Sequence, residues 1–246
     1  MPHHFIRKLE NFVRLSADEK ASLERLERHK RSYAAGEDIA VEGEPPDRVN
    51  LVLSGWACRH RALSDGRRQI VGLLLPGDLC DARVFVLKQM DHSISALTAA
   101  TIARVDKDEF VATTDASARL TRALWWNTLV EESTAREWLV NMGQRTALER
   151  MAHLFCEIFL RMRAVGLVQE RTCDLLMTQA EISEILGLSA VHTNRTLQVL
   201  RAEGLLSLTR GRLEVLDLEG LIATAEFDAN YLHLDREGAA HDANAV

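Results

Sequence analysis

The sequence predicts an α+β fold in which an N-terminal β-roll of jelly-roll type is joined by a long helix to a C-terminal winged helix-turn-helix. Three observations carry this reading. Glycines at positions 36, 43, 55, 66 and 77 punctuate short runs rich in Val, Leu and Ile, at spacings of 7, 12, 11 and 11 residues. Short strands with regular turn signals are the texture of an all-β sandwich or roll. The stretch from about Ala116 up to Gly143 has no internal Gly or Pro and reads as one long helix. Finally, Thr178–Leu206 reads as two short helices around a tight turn, followed by a basic hairpin.

Taken in order, the first element is a short amphipathic helix. Ser16-Ala17-Asp18-Glu19 is an S-x-x-E capping box, and the helix it opens is expected to run to about Lys30. The roll comes next, with strands at Val49–Leu53 and at Ile70–Leu75, the latter stopped by Pro76-Gly77; Ala100–Asp106 closes it. In the long helix, Leu120, Leu124, Trp125, Leu129 and Trp138 are too many large apolar groups for a solvated element. Part of it should pack on the roll and part should pair with a second copy. Asn127 and Thr134 interrupt the heptad, so spacing leaves the seam undefined. Arg145–Arg163 continues as another helix, striped by Leu148, Met151, Leu154, Phe155 and Ile158. The expected units are therefore an N-terminal helix plus β-roll domain over 1–115, a dimerisation helix over 116–143, a DNA-binding domain over 144–222 and an acidic tail over 223–246.

Within the DNA-binding part, Thr178 and Glu181 form a T-x-x-E box, each side chain satisfying an orphan backbone donor. Ile182, Ile185 and Leu186 stripe the first helix, Gly187 allows the turn, and Ser189 caps the second helix. There Thr193, Leu197 and Leu200 share one face, and Val191, Asn194, Arg195 and Gln198 the other. A helix tied down on one side and presenting Arg and Asn on the other suits major-groove reading. An ordinary helical hairpin would look similar. The adjoining segment favours DNA: Leu205–Val215 reads as two strands joined through Arg210-Gly211-Arg212, a wing whose arginines can reach a phosphate backbone.

Composition narrows the class. No apolar run approaches the roughly 18 residues that cross a membrane, and MPHHFIRKLENF lacks an apolar signal core, so the expectation is a cytoplasmic protein without membrane contact. Cys58, Cys80, Cys156 and Cys173 form no C-x-x-C pair, which argues against zinc and against a local iron–sulfur cluster. The net charge of -6 is uneven. Residues 217–246 hold 7 acids and one Arg, whereas 143–216 hold 9 Arg and 8 acids. Binding to DNA then depends on a few placed arginines and on two copies of the domain, rather than on bulk attraction.

This order of elements resembles the Crp-Fnr family of bacterial transcription regulators over roughly residues 12–222. The resemblance rests on the Gly55 and Pro76-Gly77-Asp78 turns, and on Thr178-Gln179-x-Glu181-Ile182-x-x-x-Leu186-Gly187-Leu188-Ser189 with Asn194-Arg195. It implies a cyclic-nucleotide-binding-like roll acting as sensor, a homodimer on palindromic double-stranded DNA, and RNA polymerase as a partner. Members that bind cyclic AMP have Gly-Glu after the Gly-Asp turn and, one strand later, Arg-Ser. Here the first pair is Asp81-Ala82, and the second falls near His92-Ser93 or Ser93-Ile94. The Glu for the ribose and the Arg for the phosphate are missing, so this degenerate effector pocket is not expected to bind cyclic AMP. Residues 1–57 lack the cysteines of oxygen-sensing members, and Cys80, near the haem-ligand position of others, has no second ligand. No cofactor is expected, and the effector is unassigned.

The resemblance also distributes roles on the second helix. Only Arg195 matches the family's principal base readers, and an Arg can contact guanine O6 and N7 bidentately. Val191 is placed for a thymine methyl and Asn194 for adenine or a phosphate. Thr178, Gln179, Ser189, His192, Arg210 and Arg212 are the expected phosphate contacts, which fix register without reading sequence. The alternative is a metal-binding cupin-type enzyme with a C-terminal protein-interaction domain. It needs grouped His and Glu, and the roll offers no H-x-H pair. No catalytic motif stands elsewhere in the chain. An adaptor that has lost DNA binding is the third reading.

Overall fold

The computed structural model describes residues 3–81, 86 and 88–234. Two helices precede the roll, α1 (His4–Leu9) and α2 (Ala17–Leu26). The second begins as its box predicts: Ser16 Oγ accepts the Glu19 amide at 3.2 Å, and Glu19 Oε2 accepts the Ser16 amide at 2.8 Å. It stops at Leu26 instead of continuing toward Lys30. The backbone from Lys30 onward is claimed by strand pairing, β1 (Lys30–Tyr33) lying against Ala100–Ala103. Helix α1 has no side-chain cap, and it exists because Phe5, Ile6 and Leu9 are buried.

The roll continues with β2 (Asp38–Ala40), β3 (Arg48–Ser54), β4 (Ala57–Ala62), β5 (Arg68–Leu74), β6 (Ser93–Ala96) and β7 (Ala100–Asp106). Among the described residues these form two antiparallel sheets, ordered β1-β7-β3 and β2-β6-β4-β5. Tyr33, Val52, Ala57, Leu74, Ile94 and Ile102 fill the core shared by the two sheets. Gly55 is required where the sheets meet. Its φ is +72°, and a Cβ there would stand 2.7 Å from Ala100 Cα, closer than any real contact.

Beyond the roll a short helix precedes the expected long one, which forms unbroken over Ala118–Gly143. Helix α3 (Lys107–Asp115) ends, Ser117 accepts the Leu120 amide at 3.2 Å, and α4 (Ala118–Gly143) starts afresh. Leu120, Ala123, Leu124, Asn127 and Val130 are buried on its inner side. Trp125 and Leu139 face outward. Helix α5 (Ala147–Ala164) opens on the Thr146–Glu149 capping box and forms the spine of the second part, with Met151, Leu154, Phe155 and Ile158 wholly buried.

Around it stand β8 (Thr172–Asp174), α6 (Gln179–Leu186), α7 (Ala190–Ala202), β9 (Leu206–Thr209), β10 (Arg212–Val215) and α8 (Leu218–Ala225). The wing has three strands, since β8 adds to the other edge of β10. The expected acidic tail needs correction. Residues 223–234 belong to the folded domain: α8 runs to Ala225, a 3-10 turn spans Ala229–Leu232, and Ala225, Phe227 and Leu232 are buried. The acids of this segment sit between apolar residues that pack on α5, which net charge alone hides. The remaining expected tail, 235–246, lies outside the described residues. The two parts touch directly. Arg68 on β5 donates to Glu184 Oε2 at 2.8 Å, and Gln69 Nε2 to the Ile185 carbonyl at 3.1 Å, so the β4–β5 hairpin lies against α6.

Candidate nucleic-acid interface

The helix-turn-helix is built by its caps. Thr178 Oγ1 accepts the Glu181 amide at 3.2 Å, while Glu181 Oε2 takes the Thr178 amide at 2.6 Å and its hydroxyl at 2.9 Å. Gly187 closes α6 in the left-handed region at φ +62°, and Ser189 Oγ accepts the His192 amide at 3.3 Å to open α7. Ser183 donates to Thr193 Oγ1 at 2.8 Å between the two helices. Thr193, Thr196, Leu197 and Leu200 are buried beneath α7. Its other face, Val191, His192, Asn194, Arg195 and Gln198, is exposed. Val191 is 82% exposed.

Asn194 donates to Gln179 Oε1 at 3.2 Å, tying the start of α6 to α7. Thr178, Gln179 and Ser189 thus lie with His192 around the two helix N-termini, whose free amides and dipoles favour an anion. At the wing tip Arg210 (φ 51°) and Gly211 (φ 77°) are both left-handed, the turn that matches strand twist in a two-residue hairpin. Arg212 stands 3.9 Å from Asp174 on the added strand. The expected base and phosphate contacts therefore lie on α7, at the helix N-termini and on the wing.

The sensor side differs from expectation in one respect. Asp81 is buried, His92 Nδ1 lies 2.6 Å from Asp91 Oδ1, Ser93 Oγ accepts the Glu42 amide at 3.0 Å, and Ala82 lies outside the described residues. The guanidinium near the Gly-Asp turn comes instead from β4. Arg59 Nε donates to the Cys80 carbonyl at 3.0 Å, and its Nη2 to the Leu79 carbonyl at 3.2 Å and to Glu131 Oε2 at 3.1 Å. Glu131 belongs to α4 and is held in turn by Asn127 at 2.9 Å. Burial opposes the Arg59 charge, but Glu131 and the neighbouring acids outweigh it and raise the pKa further. This strut borders a cavity of roughly 550 Å3 between the roll, α4 and α5, which His92, Trp138 and Arg161 also line. Burial pushes the Cys80 thiol up to about 12, the opposite of a ligating thiolate. Among the described residues no three His, Cys, Asp or Glu side chains converge as a metal site requires.

Residues 30–117 match the cyclic nucleotide-binding domain, and residues 149–224 match the Crp-like helix-turn-helix domain. The chain is 30% identical over 222 residues to the transcriptional activator protein FnrL of Cereibacter sphaeroides, covering 89% of this chain and 88% of that one. The chain belongs to the Crp-Fnr family. It is also 29% identical over 203 residues to the nitrogen fixation regulation protein FixK of Bradyrhizobium diazoefficiens, covering 82% and 84% of the two. In three dimensions it is similar to FixK2 from Bradyrhizobium japonicum, with a TM-score of 0.71 at 26% identity over 81% of this chain and 98% of that one. The cupin alternative finds no support in these likenesses.

Sequence reasoning missed the buried polar groups that hold this Crp-Fnr chain in shape. Asp78 accepts Lys8 at 2.7 Å, Arg161 at 2.6 Å and the Leu75 amide at 2.7 Å. Burial alone would raise its carboxyl, but Lys8 and Arg161 hold it down at about 2. Arg150 donates to the carbonyls of Leu186 at 2.7 Å and Arg145 at 3.1 Å, fixing the end of α6 against the start of α5. In a sequence these look like any surface charges. The one available signal was position, since Asp78 sits in the Pro-Gly-Asp turn and Arg161 lies four residues after Glu157 on a helix striped with apolar residues.

Proposed function

We propose that the protein is a cytoplasmic, homodimeric regulator that reads a two-fold DNA operator with α7 and acts on transcription through RNA polymerase, with no catalytic activity of its own. The activator name of FnrL supports activation as the output. The observation that carries the reading is the outward polar face of α7, tied down by buried Thr193, Leu197 and Leu200. In this reading Arg195 reads guanine, Val191 touches a thymine methyl, and Asn194, oriented by Gln179, addresses adenine or a phosphate. Thr178, Gln179, Ser189, His192, Arg210 and Arg212 contact phosphates. Two copies of α7 about one DNA turn apart, roughly 34 Å, engage the half-sites. The sensor unit comprises residues 1–115, α4 is the dimerisation helix, and the DNA-binding unit extends from 144 to the 3-10 turn.

The test is competition binding against operators mutated one base pair at a time. Arg195→Ala is expected to abolish discrimination at one position of each half-site, a loss of about 1–3 kcal/mol per site. His192→Ala should weaken binding to all sequences alike. Unchanged base preferences in Arg195→Ala would refute the assignment.

A further inference from the structure

The solvent face of α4 carries Trp125, Glu132 and Leu139 at intervals of seven residues, flanked by Leu129 and Arg136. Trp125 is 68% exposed, Leu129 48% and Leu139 74%. Asn127, which breaks the heptad in the sequence, is buried on the opposite side and does not belong to this stripe. An apolar face of this kind is one that a partner covers. Its centre, however, is charged: Arg136 Nη1 lies 2.8 Å from Glu132 Oε1, both side chains well exposed. A seam built for packing alone would place apolar residues there.

We propose that Glu132 and Arg136 exchange partners across the dimer, each Glu132 pairing with Arg136 of a second copy, so that the charges select a partner identical in sequence and in register. This rests on the dimeric reading above. Both DNA-binding domains must lie at one end of the pair to share an operator, so the α4 helices run parallel. A two-fold axis then sets Glu132 opposite its own twin, with Arg136 about 6 Å further along each helix. Two reciprocal ion pairs form at once and relieve the repulsion between the two acids. A slip of one heptad would set Glu132 against Trp125 or Leu139 and bury its charge without a partner. A foreign helix lacking the acid–base pair leaves both groups unmatched, so the charges act chiefly against wrong partners.

The experiment mixes charge-reversed full-length chains. Glu132→Arg and Arg136→Glu are each expected to homodimerise on the order of tenfold or more weakly than wild type, as for close interfacial charge pairs. An equimolar mixture of the two variants should form mainly heterodimers, read by native mass spectrometry with one chain isotopically heavy. The double variant E132R/R136E should recover wild-type dimerisation. Both positions are exposed on α4, and unchanged circular dichroism would show that the helix persists. A wild-type chain that sediments as a monomer at micromolar concentration overturns the dimeric reading itself. A dimeric wild type whose single variants dimerise normally and mix statistically overturns the exchange alone.

Discussion

His153 lies wholly buried on α5, its ring stacked on Tyr231 with centroids 5.8 Å apart and edge-on to Trp138 at 5.8 Å. Burial, and then the nearby Arg145 charge, lower its pKa to about 3. In the unfolded chain the ring titrates near 6.5. Between those values the unfolded state binds a proton that the native state refuses, so stability falls as the pH drops below about 6.5. The limiting slope for one such group is about 1.4 kcal/mol per pH unit, and above pH 6.5 its contribution is flat. Asp78 acts in a separate window. Its folded pKa of about 2 lies below the unfolded value, so its contribution is intact above about pH 4 and disappears as the pH falls toward 2. Urea unfolding at pH 5 and pH 7 therefore separates the histidine from Asp78, and the His153 variant separates it from His60, whose pKa burial also lowers. The wild type should be less stable at pH 5, and His153→Phe, which keeps the aromatic packing, should show a smaller difference. An equal difference in both proteins would assign the pH dependence to other groups.

Elements whose signals are local were readable from the sequence. The Ser16–Glu19 and Thr178–Glu181 boxes form as predicted, and β7 occupies Ala100–Asp106 as its apolar run indicates. Elements created by tertiary packing were not. Helix α1 has no cap and is set by the burial of Phe5, Ile6 and Leu9, and α8 and the turn after it hide inside an acidic segment. At the candidate site, spacing separated the two faces of α7, since burial there tracks helical period. It did not find Arg59, because the strand it belongs to says nothing about which carbonyls a long side chain will reach. The strut bears on what the roll can bind. Its guanidinium is already engaged by two carbonyls and by Glu131, and Asp81 adds a buried acid beside the turn. A cyclic phosphate entering there would have to displace Glu131 and approach Asp81. Titration calorimetry with cyclic AMP or cyclic GMP is expected to show no saturable heat at micromolar nucleotide. Saturable binding would mean that the strut opens at little cost.

Across the whole molecule one buried carboxylate ties the parts together, beside the β4–β5 contact with α6 and an apolar cluster that runs from Ile70 and Leu73 of the roll to Phe155 and Ile185. Asp78 sits in a turn of the roll, yet its partners are Lys8 on α1 and Arg161 on α5, and Arg161 also pairs with Glu157 at 3.0 Å. Glu157 in turn accepts Trp138 Nε1 of α4 at 3.0 Å and the Tyr231 hydroxyl at 2.9 Å. A single polar network thus spans the N-terminal helix, the roll, α4, α5 and the C-terminal turn. With only 7% of the Asp78 side chain exposed, and 17% and 20% of the Lys8 and Arg161 side chains, its charges have little water to fall back on. Removing the acid strands the Lys8 ammonium and leaves Arg161 with Glu157 alone, a change that costs about 3–5 kcal/mol when a buried pair is broken. The cost should fall on the contact between the parts rather than within either core, since the roll core of Val52, Ile94 and Ile102 does not involve Asp78. Scanning calorimetry of the wild type is therefore expected to show one transition, and Asp78→Ala two, with the first well below the wild-type midpoint. Lys8→Met in the Asp78→Ala background should recover part of the loss, because it removes the stranded ammonium. A single transition in Asp78→Ala, shifted as a whole, would mean that the parts are held together by the β4–β5 contact with α6 instead.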